Sequence, residues 1–318
     1  MRLLRVFPEQ PRFRFMRLRF TAFAVACCII LASLGSLGLQ GLNLGLDFTG
    51  GVLIEARAAR PVDLASLRER LAGTVPGAVS LQTFGGANEV LIRVQSPGDG
   101  AASQDRTVNA IAAALPSDLE IRRSEFVGPQ MSAELLRNGI VAAASAVLLI
   151  GVYVWFRFEW QFGLCAVLTT LHDVIATVGL FSLLRLEFNL TLIAALLTIA
   201  GYSINDTVVV FDRIRENTRL YKSMAFAGLI DLSINQTLSR TVLTSGTTLL
   251  AVLPLLAFGG PVLRDFALAL TWGILVGTAS TTFVAAPLLL YLSPLRQQAA
   301  AQPAPDPAGQ AGAPPAPG

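Results

Sequence analysis

Six stretches of this chain are long and apolar enough to cross a lipid bilayer, and they limit its fold more than any other feature. A membrane-spanning helix needs about 20 apolar residues to cover a hydrocarbon core of ~30 Å. Lipid offers no water to the backbone, so each stretch must satisfy its own amide and carbonyl groups as a helix. The segments are residues 20–40, 137–156, 160–184, 189–212, 241–258 and 265–292. Composition agrees: 53% of residues are hydrophobic, 14% are charged and the mean hydropathy is +0.60. A soluble domain carries about 25% charged residues. The net charge of +3 and pI near 9.0 do not point to nucleic acid, because the basic residues are not gathered on a soluble domain. Residues 20–40 follow a basic flank, as in a signal peptide, but the apolar run is too long and no clean cleavage site follows. It reads as an uncleaved first span.

The arginines set an expected orientation. Residues 1–19 hold Arg2, Arg5, Arg12, Arg14, Arg17 and Arg19; Arg157 follows the second span; Arg213, Arg215, Arg219 and Lys222 follow the fourth. These segments alternate, and positive loops stay in the cytoplasm. The opposite side has only Arg185 and Arg264 in its short loops. Both termini are therefore expected inside, with residues 41–136 outside the cytoplasm. Residues 213–240 read as a cytoplasmic loop with amphipathic character. Residues 293–318, rich in Ala, Pro, Gly and Gln, cannot bury enough apolar surface to fold and read as a disordered cytoplasmic tail.

The long insert has its own folding pattern. Phe48 to Arg57 reads as a strand, and Val62 to Ala72 as a helix with Leu64, Leu67 and Leu71 at helical spacing. Val79 to Phe84 and Glu89 to Gln95 read as strands joined by Gly-Gly-Ala-Asn. Asp105 to Leu115 reads as a helix and Leu119 to Val127 as a strand. That order, β-α-β-β-α-β, is the ferredoxin-like arrangement. No metal, phosphate or cofactor motif is visible in it, and Cys27, Cys28 and Cys165 lie in apolar runs without disulfide or zinc spacing.

Ionisable groups inside the bilayer cost about 2.5–3.5 kcal/mol each on insertion scales, so they mark function by default. Asp206 lies about 24 Å along the fourth span at ~1.5 Å per residue, inside the hydrocarbon. Ser203, Asn205 and Thr207 surround it, and Asp212 follows at the membrane edge. His172, the one histidine, and Asp173 sit near the centre of the third span; histidine titrates near neutrality and suits a relay. Arg240 opens the fifth span, with Thr244 and Thr248 on the same face. Arg240 either snorkels to the interface or faces Asp206, and that pair would act as a switch: protonation of Asp206 releases Arg240. Gly273 and Gly277 in the sixth span form a GxxxG pattern for close helix packing.

Six strings then bring a resemblance into view: GLDFTGG at residues 45–51, FVGPQMSAEL at 126–135, LHDV at 171–174, GYSINDTVVVFDRIREN at 201–217, NQTLSRTVLTSGTTL at 235–249 and FGGPVLRDFALAL at 258–270. Together they resemble the SecF branch of the SecD/SecF family of bacterial protein-export subunits, over residues 15–292. The resemblance implies an RND-type half: a polytopic α-helical membrane protein with six membrane helices and an inserted α+β ferredoxin-like extracytoplasmic domain, in the bacterial inner membrane. It implies a non-enzymatic transport subunit that works with SecD, uses the proton motive force and drives late steps of preprotein export. The implied partners are SecD, the SecYEG channel, YajC, the unfolded preprotein and membrane lipids, with no nucleic acid, metal or cofactor. It places the proton relay on Asp206 and Arg240, while Asp173, His172, Asp212, Asn205 and Thr244 are relay or supporting candidates by their own positions in the spans. The family motif falls on Asp47, Phe48, Thr49, Gly50 and Gly51. H⁺ and Na⁺ coupling remain alternatives.

Independently of the resemblance, a single six-span half without an internal repeat implies a second half, because many transporter ion sites lie between two such halves. Two other classes compete with this reading. An intramembrane aspartyl protease would need Asp173 and Asp206 to share a proton, and the glycine-flanked motif it requires is missing from SINDTV. A small-molecule or lipid exporter half of the RND type is the alternative within the transporter class.

Overall fold

The computed structural model describes residues 12–74, 79–84, 86–94 and 101–292. The first part of the basic arm and the proline-rich tail lie outside these residues. A short 3₁₀ turn, Phe15–Leu18, leads into α1 (Arg19–Gln40). Then come β1 (Asn43–Leu44), α2 (Leu46–Thr49), β2 (Gly51–Ala58), α3 (Leu64–Ala72), β3 (Val79–Phe84), β4 (Gly86–Val94), α4 (Ala101–Ala114) and β5 (Leu119–Val127). The chain returns to the bundle through α5 (Pro129–Arg157) and α6 (Trp160–Leu183), separated by two residues. After β6 (Glu187–Phe188) follow α7 (Leu190–Leu220), α8 (Phe226–Phe258), α9 (Gly260–Ser280), a π-helical turn at Thr281–Ala285 and α10 (Ala286–Leu292). Among the described residues six helical stretches are long and apolar enough to span a membrane, the last running through α9 to α10.

The inserted domain is a four-stranded antiparallel sheet in the order β3-β4-β2-β5. That is the ferredoxin-like strand order for the β-α-β-β-α-β pattern. Its core takes the inward residues of β2 and β4, Val52, Ile54, Ile92 and Val94, against Leu67 and Leu71 of α3 and Ile111 of α4. Two expectations need correction: β4 already begins at Gly86, so Gly86, Ala87 and Asn88 belong to the strand and not to a turn, and the first strand starts late. Phe48 and Thr49 do not begin the first strand; residues 46–49 make one helical turn instead. Gly50 ends it at φ 73° and Gly51 follows at φ 142°, backbone that favours glycine, and β2 starts only there.

Residues 213–240 are mostly helical. α7 continues through Leu220 and α8 begins at Phe226, leaving 221–225 as the connection. The reason is buried contact: Ile214 and Asn217 of α7 face Phe226, Ile230 and Ser233 of α8, and Asn217 Nδ2 donates to Ser233 Oγ (2.9 Å) and Gln236 Oε1 (2.8 Å).

The bundle has two apolar clusters. One collects Phe158, Phe162, Phe211, Ile214, Phe226 and Ile230. The other collects Phe181, Phe188, Leu192, Ile199 and Leu270, and reaches Phe48 of the insert. Between them in sequence depth, α6, α7 and α9 with its π turn carry buried Asp173, Ser203, Thr207, Ser280 and Thr281. A polar layer inside an apolar bundle is costly unless its groups satisfy one another, and it locates the candidate site.

Candidate functional site

Close packing builds the layer. Gly277 lets α9 approach α7 and α6: a Cβ there would lie 3.3 Å from Ser203 Cβ and 3.6 Å from Asp173 Oδ2. Gly273, one turn earlier, lies against Ile199. The GxxxG pattern thus seats α9 beside Asp173. At the end of α9 the helix widens into the π turn at Thr281–Ala285. Such bulges interrupt the regular helical bonding and often mark functional positions.

Asp173 is fully buried and well supplied with donors. Ser203 Oγ of α7 donates to its Oδ2 at 2.6 Å and Ser280 Oγ of α9 at 2.8 Å. Its Oδ1 meets His172 Nδ1 at 2.9 Å. The other ring nitrogen, His172 Nε2, is buried without a hydrogen-bond partner. Three helices therefore converge on one carboxylate.

Asp206 lies one turn beyond Ser203 on α7 and is half-buried. Thr241 Oγ1 of α8 donates to its Oδ1 at 2.6 Å. Its Oδ2 is buried without a hydrogen bond of regular geometry, the Thr281 hydroxyl acting on the carboxylate only as a weaker donor. Beside it, Thr207 Oγ1 and Thr281 Oγ1 are 3.0 Å apart, which ties α7 to the π turn. Ser280 and Thr281 are consecutive, so the hydroxyl layer reaches from the Asp173 side to the Asp206 side.

The expected Asp206–Arg240 ion pair is absent from the ion pairs among the described residues. Successive residues on a helix point about 100° apart at 3.6 per turn. With buried Thr241 turned toward Asp206, Arg240 is left on the exposed side of α8. Its charge still acts on the Asp206 carboxylate. Asn205 is exposed next to Asp206, and a methyl group added at Gly201, one turn earlier, would meet nothing within 4 Å. Thr244 is half-buried one turn after Arg240, and its carbonyl accepts from Thr248 Oγ1 at 2.8 Å. Asp212 is exposed and bridges to Arg157 at 3.1 Å, an interfacial ion pair apart from the layer. The two aspartates, Asp173 and Asp206, do not hydrogen-bond each other, so the geometry offers no shared-proton dyad.

The family-motif residues lie far from this layer but touch the helix that carries it. Asp47 Oδ2 accepts from Leu190 N (2.9 Å) at the start of α7, where Asn189 Oδ1 also accepts from Leu192 N (3.0 Å). Phe48 packs on Phe188 with ring centroids 5.8 Å apart. Thr241, Ser280 and Thr281 join the site only in the structure. Their signal in the sequence is faint: for the last two, the run Thr278-Ala279-Ser280-Thr281-Thr282 sets four hydroxyl groups inside an apolar span. Among the described residues no group of three or more His, Cys, Asp or Glu is placed to hold a metal ion.

Comparison with known proteins agrees with this architecture. Residues 107–294 match the family described as "Protein export membrane protein SecD/SecF, C-terminal", and residues 35–62 that described as "SecD/SecF GG Motif". The chain is 42% identical over 293 residues to the protein translocase subunit SecF of Rickettsia akari, covering 90% of this chain and 94% of that protein. It is 44% identical over 306 residues to the subunit of that name from Rhodothermus marinus, covering 94% and 98%. Among solved structures, a SecDF from Thermus, titled a translocon-associated membrane protein, superposes with a TM-score of 0.78 at 40% identity. That match covers 90% of this chain and 39% of the SecDF chain, so this chain spans about two fifths of it.

Proposed function

We propose a function from one premise: this chain belongs to the SecD/SecF family of protein-export membrane proteins and is a multi-pass membrane protein. Its role is in protein export, alongside SecD. The finer reading is that it couples the proton motive force to late steps of preprotein export at the SecYEG channel in the inner membrane, with YajC as an accessory. The inserted domain then faces away from the cytoplasm, toward the emerging polypeptide.

One observation carries the coupling. Asp206 sits in a membrane helix with one oxygen buried and without a hydrogen bond of regular geometry, and with no cation within ion-pair distance among the described residues. A carboxylate left so in lipid is a liability unless its protonation is used. Thr241 holds one oxygen in place, and the other is open to receive a proton. Loss and gain of that proton change the field at Arg240 and at Thr281, and so bias how α7, α8 and the π turn pack. A proton that crosses the whole field releases ~2.3 kcal/mol per 100 mV, enough to shift a two-state packing. Asp173 and His172 form a second polar centre joined to the first through the Ser280–Thr281–Thr207 hydroxyls, and they serve as support or relay. The exposed line of Gly201, Asn205 and Arg240 is polar surface at membrane depth, which suits a face covered by the SecD half.

The test is reconstitution of this chain with SecD and the channel in vesicles, following completion of a stalled preprotein with and without an imposed proton gradient. Asp206→Asn should assemble normally and lose the gradient-dependent acceleration. An Asp206→Asn complex that responds to the gradient as wild type does would sink the reading. A sodium gradient in the same vesicles separates the two ions.

A further inference from the structure

The rotation of α8 about its own axis decides whether Thr241 or Arg240 meets Asp206, and a segment far away in sequence grips that helix. Ahead of α1, the 3₁₀ turn Phe15–Leu18 and the residues just before it lie along the first part of α8. Asn235 pairs with the backbone of Phe13 in both directions: its Oδ1 accepts from Phe13 N (3.0 Å) and its Nδ2 donates to Phe13 O (2.8 Å). Asp231 Oδ1 accepts from Met16 N at 2.9 Å. The Met16 side chain is buried in the apolar cluster that also holds Ile230 and Ile234 of α8. Phe15 packs edge-on against Phe283 of the π turn, with ring centroids 5.9 Å apart. The segment is thus a strap, held to α8 by two polar side chains and one apolar anchor and braced against the π turn.

A helix turns about 100° per residue. Around α8, Asn235 is then about 40° from Asp231, and Leu238 and Val242, which line a cleft together with Phe15, lie within about 20° of it. These residues make one line, and the strap lies on it. Arg240, nine residues after Asp231, points about 180° from that line. Thr241 points about 80° from it, toward Asp206. A roll of α8 by about 100° would put Arg240 where Thr241 now is. The same roll would carry Asp231 and Asn235 off the strap's backbone, so the docked strap opposes it.

We propose that residues 13–18 are the rotational stop of α8. Docked, they hold Thr241 on Asp206 and keep Arg240 outward, as in this structure. Undocked, they free α8 to roll by one residue and set Arg240 against the carboxylate. Asp231 and Asn235 are then positioning residues: their hydrogen bonds go to the strap, and they act on Asp206 through the helix they hold. What the stop does for export rests on the reading of Asp206 given above; the stop itself does not.

The rotation is read by cross-linking in the full chain with its SecD partner, in membranes, with Cys27, Cys28 and Cys165 replaced by serine. Ser245 of α8 and Thr278 of α9 have their hydroxyl oxygens 2.7 Å apart, and Ser36 of α1 and Ser182 of α6 have theirs 2.9 Å apart. Sulfurs put in place of either pair are within reach of a disulfide. A roll of α8 parts the first pair and leaves the second. Asp231→Ala with Asn235→Ala should slow oxidation of the Ser245→Cys, Thr278→Cys pair about tenfold and leave the Ser36→Cys, Ser182→Cys pair at its original rate. Asp231→Asn keeps an acceptor for the Met16 amide and should keep the fast rate. Unchanged oxidation of the first pair in the double-alanine variant, equal slowing of both pairs, or the same slowing in Asp231→Asn would each overturn the proposal. No proton gradient enters these measurements, so the stop can fail while the Asp206→Asn test succeeds, and the reverse.

Discussion

Gly179 lies in α6 against Ser33 of α1, and a methyl group at that position would run into the Ser33 backbone as well as its side chain. A helix backbone cannot step aside as a side-chain tip can, so Gly179→Ala is an overpacking change. It should lower the stability of the detergent-purified chain by about 1–3 kcal/mol, read from its thermal unfolding. Gly201→Ala, with nothing within 4 Å, should instead hold or raise stability, by up to about 1 kcal/mol of helix propensity. Equal losses at the two sites would mean that the α1–α6 contact is not tight. The sequence does not distinguish these glycines, because both sit in apolar helices and only the neighbouring helix makes one of them obligatory. The same limit governs Asp206. Its cost is legible from sequence, because a carboxylate in an apolar run is costly whatever surrounds it. Its partner is not, because Arg240 and Thr241 are adjacent in sequence and differ only in which way α8 is rotated. Asp173 and His172 are legible as polar residues at depth; Ser280 becomes their partner only when Gly277 brings α9 close.

At the scale of elements, the inserted domain is fastened to the bundle through the short segments β1, α2 and β6 and through β3, which touches α9. β1 and β6 pair in parallel, Asn43 with Glu187 and Leu44 with Phe188. Arg93 of β4 forms an ion pair with Glu187, and both side chains are less than one-fifth exposed. Burial pushes the Glu187 carboxyl above its usual range; Arg93 pulls it down without fully offsetting that, and Asp47 and Asp265 add repulsion. The native state therefore holds this proton more tightly than the unfolded chain does. Its stabilising contribution is complete below the ordinary carboxylate pKa and is lost as pH rises through the raised native value. Glu187→Gln should therefore match wild type near about pH 4 and become the more stable of the two toward about pH 7. Arg93→Met leaves a buried carboxylate without its cation and should cost about 1–3 kcal/mol at neutral pH, less in acid. Melting temperatures of the three proteins across that range check both statements, and a Gln variant that loses stability as pH rises would contradict the first. The sheet itself was legible, because apolar runs in β2 and β4 and helical spacing in α3 are local signals. The fastening was not. GLDFTGG looks extended by composition, yet its first half closes a helical turn because Asp47 reaches the backbone of α7, a contact 143 residues away.

For the whole molecule, the six spans and one inserted domain give a bundle with unequal sides. α7 and α8 present Gly201, Asn205 and Arg240 outward at the level of the polar layer, whereas α1 presents apolar residues such as Val25, Leu31 and Leu34. Lipid is a suitable neighbour for the second face and a poor one for the first, which is the physical argument for a missing half. The cations give the orientation expected of this asymmetric body. Arg213, Arg215, Arg219 and Lys222 cluster where α7 turns into α8, and the positive-inside rule counts such short connections most heavily. That connection and the inserted domain lie on opposite ends of the spans, since odd and even crossings separate them. In a variant with Cys27, Cys28 and Cys165 replaced by serine, a single cysteine placed at Ser66 on α3 or at Lys222 reports on each end; both positions are exposed. A membrane-impermeant maleimide applied to spheroplasts should label Ser66→Cys at once and Lys222→Cys only after the membrane is permeabilised. The opposite pattern would put the inserted domain in the cytoplasm and overturn both the expected orientation and the role proposed for that domain.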